Sequence, residues 1–102
     1  MPVDGTWNLR IDTPIGTQSA ELTLSTADGR LRGFARDLRH GEEVQLTDLV
    51  LDGDRLTWAQ SITRPMRLTL TFDVTVTGDG MTGRAKAGRL PSSKVTGQRE
   101  VG

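Results

Sequence analysis

The chain has no cysteine and no tyrosine, one histidine, and only two tryptophans and two phenylalanines in 102 residues. Without cysteine there are no disulfides and no thiolate metal sites, and the redox compartment stays open. One histidine with no cysteine also leaves no usual transition-metal ligand set, so neither metal nor cofactor is expected. No apolar stretch approaches membrane-spanning length, and the opening Met1-Pro2-Val3-Asp4-Gly5 lacks the basic-then-apolar pattern of a signal peptide. The expectation is a cytoplasmic protein with no membrane partner. Thirteen basic residues balance thirteen acidic ones, so no bulk field draws the chain to nucleic acid. Helical periodicity is too short-lived to supply the crossovers of parallel pairing. With no helix there is no strand–turn–helix elbow to present a serine, and no glycine-rich phosphate loop.

What the sequence does have is alternation. In Leu68-Thr69-Leu70-Thr71-Phe72-Asp73-Val74-Thr75-Val76-Thr77 the apolar residues all share one parity, which on a strand means one face. Similar runs cover roughly Thr6–Asp12, Thr17–Ser25, Arg30–Leu38, Glu43–Leu51, Leu56–Ile62, Met81–Ala87 and Ser93–Glu100. Turn residues separate them, among them Pro14-Ile15-Gly16, Asp28-Gly29, Asp52-Gly53-Asp54 and Gly78-Asp79-Gly80. The fourth run is ambiguous: Val44 and Leu46 have one parity, Leu49 and Leu51 the other. A bulge near Thr47-Asp48 reconciles them. Eight short-linked strands predict a single domain over residues 1–102. Its fold class is all-β, an eight-stranded antiparallel up-and-down meander closed into a barrel.

Gly5-Thr6-Trp7 opens the first strand and Gly97-Gln98-Arg99 lies in the last. These residues resemble the lipocalin and avidin-like (calycin) barrels, in which a Gly-x-Trp begins strand one. The turn and strand pattern is also similar to that of small bacterial barrel proteins. The lipocalin resemblance implies that Arg99 packs across Trp7, by a cation–π contact, where the last strand closes on the first. Avidins use tyrosine among their biotin contacts; with none here, biotin is a poor expectation.

A meander sorts its turns between two ends. The Asp28, Asp52 and Gly78 turns are short and glycine-rich. The opposite turns, Thr13 to Gly16, Arg39 to Glu42, Arg64-Pro65-Met66 and Gly88 to Ser92, are longer and hold a histidine and several arginines. Binding loops gather at one end of a rigid scaffold, so the mouth belongs at this second end. The inward residues change along the barrel in the same sense. Trp7, Leu24, Leu31, Leu51, Leu56, Val76 and Met81 plug the first end, whereas Ala20, Ala35, Ala85, Ala87 and Gln60 lie toward the second.

The leading reading is therefore a small-molecule-binding barrel. Its partner is an apolar or amphipathic molecule with one polar or anionic group, buried against Trp58 and held by Gln60 and Arg64, with Gln45 and Arg89 at the rim. Gln45, with Glu43, faces inward if the fourth strand keeps the parity of Leu49 and Leu51. A rival reading is a cofactor-free isomerase, cyclase or hydro-lyase that moves a proton through Glu43, Asp37 or His40; allene oxide cyclases are among the calycin-like barrels. An exposed turn accounts better for His40. A third reading is a solid barrel acting by assembly, a homodimer through outward Phe34 and Leu38. The arginines at 30, 32, 36 and 39 form a basic stripe around Phe34. With one aromatic and zero net charge, a solvated face or subunit contact explains it better than single-stranded nucleic acid.

Overall fold

The computed structural model describes residues 3–13, 16–37, 41–62, 68–88 and 91–100. Among these residues there are strands and turns and no helix. The strands are β1 (Gly5–Thr13), β2 (Gly16–Ala27), β3 (Arg30–Asp37), β4 (Glu43–Gln45), β5 (Thr47–Asp52), β6 (Arg55–Ile62), β7 (Leu68–Thr77), β8 (Gly80–Ala87) and β9 (Ser93–Arg99). Every pairing is antiparallel. They form one sheet in the order β4-β3-β2-β1-β9-β8-β7-β6-β5. Its two outermost strands, β4 and β5, are consecutive in the chain and separated by Leu46 alone. The sheet must therefore curl until its ends meet, giving an all-β up-and-down barrel that is nearly closed.

The strand count corrects the expectation of eight. The fourth run is two strands, because the chain changes partner at Leu46: β4 pairs with β3, and β5 pairs with β6. The Leu46 N–H still donates to the Gly33 carbonyl, 3.1 Å away, as the ladder to β3 ends. The bulge expected at Thr47-Asp48 is present. The register against β6 slips between Thr47 and Val50, and Asp48 takes a positive φ of 52°. The left-handed conformation costs a residue with a Cβ, and aspartate bears it better than most. The slip reverses the side-chain parity. Val44 therefore lies opposite buried Ala35, and Leu46, Leu49 and Leu51 all pack on the core.

The core follows the alternation. Trp7, Leu9, Leu22, Leu24, Leu56, Trp58, Phe72, Val74, Met81 and Val95 are all nearly or wholly removed from solvent. Each such side chain contributes about 1.5–3 kcal/mol by burial. Inward glycines, Gly97 and Gly83 among them, let these residues fill the space between strands. A Cβ on Gly97 would lie 2.6 Å from both Leu9 Cδ2 and Met81 Cγ, and one on Gly83 would lie 2.5 Å from Val74 Cα. The room left by the missing side chains is thus already occupied.

Closure of β9 on β1 aligns Trp7 directly opposite Arg99. The guanidinium carbon sits 4.6 Å from the Trp7 ring centroid, the cation–π contact that the resemblance implies. Arg99 also donates from its two terminal nitrogens to the carbonyls of Asp4 (2.8 Å) and Gly78 (3.1 Å), and its Nε stands 3.0 Å from the Asp79 carboxylate. The Trp7 indole N–H donates to the Val3 carbonyl at 3.0 Å, and the Asp4 carboxylate accepts from the Thr26 N–H and hydroxyl. One arginine thus ties the segment before β1 and the β7–β8 turn to the plugged end.

Candidate functional site

At the other end the inward positions are less covered. Trp58 and Phe72 are cross-strand partners on β6 and β7. Their rings stack with centroids 4.7 Å apart and planes 8° from parallel, and both are buried. Ala85, opposite Phe72, is buried with them, as are Ala35, Ile11 and Val95 on other strands. In the next inward row Gln60 lies opposite Leu70 and Leu70 opposite Ala87; Leu70 and Ala87, like Ala20 and Ser93 on other strands, are only half-buried. The alanines arrive there because parity puts them on the inner face: Ala85 lies opposite Phe72 and Ala87 opposite Leu70.

Gln60 is the one buried polar residue among those described, with 9% of its surface exposed. A buried amide is costly unless it is hydrogen-bonded. The Trp58 indole N–H donates to Gln60 Oε1 at 3.1 Å. An indole nitrogen can only donate, which fixes the amide with its oxygen toward Trp58. The two amide hydrogens on Nε2 then remain, and no described residue accepts them. The result is a fixed hydrogen-bond donor over an aromatic floor, with small side chains around it.

Of the other residues singled out in the sequence, Asp37 holds an inward register position opposite Ala20 and is half-buried. Its backbone N–H donates to the Glu42 carbonyl (2.9 Å), and its carbonyl accepts from Gly41 (2.7 Å). Gln45 and Glu43 do not join it. The bulge reverses the parity on which their inward placement depended, so both are exposed on the outer wall, opposite Phe34 and Arg36. Arg64, Arg89 and His40, with Leu38 and Arg39, lie outside the described residues. The basic stripe is interrupted, since Arg36 has Glu21 on one neighbouring strand and Glu43 on the other. Among the described residues no three His, Cys, Asp or Glu side chains converge as a metal site would need.

Described residues also form two depressions elsewhere on the surface. One, about 330 Å³, is at the plugged end between Val3, Leu51, Asp54, Val76 and Arg99. The other, about 600 Å³, crosses the outer wall of β6, β7 and β8. Inward parity says nothing of an outer wall, where the signal is which polar residues the register aligns. No protein-family model, no curated protein and no solved structure matches the chain.

Proposed function

We propose that this barrel binds a small amphipathic molecule at the end where Gln60 lies. The apolar part rests against the Trp58–Phe72 stack and the surrounding alanines, and a hydrogen-bond acceptor on the ligand takes the Gln60 amide. An anionic group on the ligand is met by Arg64 and Arg89, which follow Gln60 and Ala87 in the chain. The observation that carries this reading is the Gln60 side chain. Its oxygen is committed to Trp58, its nitrogen is unmatched among the described residues, and it is nearly buried. The amide hydrogens are left for an acceptor on the ligand to take in place of water.

The test uses decanoate and an anilinonaphthalene sulfonate as probes, both amphipathic anions. Binding is read as saturable change in the tryptophan emission of the purified protein. Saturation in wild type, with at least ten-fold weaker binding in Gln60→Leu, is the expected result; ten-fold corresponds to about 1.4 kcal/mol. Equal affinity in Gln60→Leu, or no saturable change with either probe, sinks the assignment. Far-UV circular dichroism establishes that the variant is folded.

A further inference from the structure

The outer wall of β6, β7 and β8 carries a shallow, open depression. Asp48, on the bulge, and Ser92, just before β9, both line the groove of about 600 Å³ that crosses it. Ala59 also lines it. Its register position, opposite Thr47 and Thr71, is an outward one, yet it is only 8% exposed. An outward residue so covered by its neighbours marks a floor. Across that floor the register sets Ala59, Thr71 and Lys86 side by side on three strands, and the next outward row is Thr57, Asp73, Arg84 and Lys94.

The charges in these rows are unevenly matched. Arg84 faces Asp73 across the ladder, its natural partner. The Asp73 carboxylate is instead gripped from the other side by Arg55, with Nε at 2.9 Å and a terminal nitrogen at 2.6 Å. Both carboxylate oxygens are so engaged, and Arg55 holds the carboxyl below its ordinary titration range. The Arg84 guanidinium and the Lys86 ammonium make no hydrogen bond or ion pair with any described residue. On its far side Arg84 faces Lys94, and like charges directly opposed on a sheet repel. Lys94 in turn has Asp12 opposite it on β1, which leaves Arg84 and Lys86 as the unmatched pair. The Thr71 hydroxyl is spent on the Lys86 carbonyl at 3.3 Å. The Ser92 hydroxyl has no partner among the described residues.

We propose that this groove binds a small phosphate monoester, with the phosphate on Arg84 and Lys86 and the organic part over Ala59. A guanidinium offers phosphate two parallel donors, an ammonium adds a point charge, and the Ser92 hydroxyl adds a third kind of donor. Asp48 lies on the rim beyond Ala59, and its charge favours the anion at the Arg84 end. The site is on the outside of the wall whose inside carries Trp58 and Gln60, and it does not rest on the reading of that inner end.

Titration of the isotope-labelled full chain with inorganic phosphate, at constant ionic strength, tests the proposal by amide chemical shifts. Constant ionic strength matters because salt screens exposed charges. Saturable shifts at Thr71, Arg84, Lys86 and Ser92 are expected, with none at Arg30, Arg32 or Arg36 on the far wall, and with acetate at equal ionic strength much weaker. The exposed pair Arg84→Gln/Lys86→Gln should bind phosphate at least ten-fold more weakly and stay folded. Asp73→Asn removes a carboxylate and releases Arg55, so it should bind several-fold more tightly. Uniform shifts at every arginine, acetate equal to phosphate, or a double variant that binds like wild type overturns the proposal. So does Asp73→Asn with unchanged or weaker binding.

Discussion

Replacing Arg99 by methionine keeps the stem that packs on Trp7 and removes everything the guanidinium does. Four interactions with described residues are lost. The bond to the Asp4 carbonyl is partly buried and short; as a charged donor to a shielded acceptor it is worth about 1.5 kcal/mol. The bond to Gly78 is exposed and contributes about 0.5 kcal/mol. The cation–π contact with Trp7, at 4.6 Å, adds about 0.5–1 kcal/mol. The Asp79 ion pair adds little, because 69% of the Asp79 side chain is in solvent. The expected loss is about 2–3 kcal/mol, a large share of a small domain's stability. For a domain of this size that lowers the melting temperature by roughly 10–15 °C. Arg99→Lys retains a charge near the ring but not the fork that reaches two carbonyls, so it should recover only about a third of the loss. Equilibrium urea denaturation, followed by tryptophan emission and far-UV circular dichroism, measures each variant. A methionine variant within 0.5 kcal/mol of wild type and with an unchanged m-value would refute the account of Arg99 as the tie across the plugged end.

Two further outcomes follow from the same structure. Gly83→Ala puts a methyl against the Asp73 carbonyl and 2.5 Å from Val74 Cα, both backbone atoms of β7; overpacking of this kind should cost about 2–3 kcal/mol in urea denaturation, and a neutral substitution would mean that β7 and β8 are further apart. Asp73 has its pKa lowered from 3.8, first by the hydrogen bond from Arg55. A depressed folded-state pKa adds stability at neutral pH that is lost as pH falls below about 4 and through the folded value. Asp73→Asn should therefore flatten the acid side of the stability–pH curve, and an equally steep acid limb would count against that ion pair.

Much of the fold could be read from the chain directly. Period-two alternation in the run from Leu68 to Thr77 fixes which face is buried whatever the neighbours, because a strand's side chains must alternate. Gly5-Thr6-Trp7 and Arg99 marked the closing strands, and the short turns allowed only a meander. Of the candidate site, Trp58 and Gln60 were visible as inward positions on one strand, two residues apart. That their side chains bond to each other, and so orient the amide, depends on rotamers that spacing does not give. Asp37 was visible in the same way, by parity on β3.

The tertiary structure alone decided the rest. Whether Glu43 and Gln45 face in or out depended on Asp48, where one left-handed residue reverses the parity of every residue before it. The split into β4 and β5 has the same origin: a strand changes partner where the barrel's two edges converge, and convergence is a property of the whole curled sheet. The outer groove depended on register as well. Lys86, Thr71 and Ala59 are far apart in sequence, and only the ladders of β6, β7 and β8 set them in one row. Within an unbroken strand, sequence by itself determined which residues are inside, since local geometry enforces that; which residues meet, and where a bulge reverses the faces, is a matter of pairing, and pairing is settled between strands.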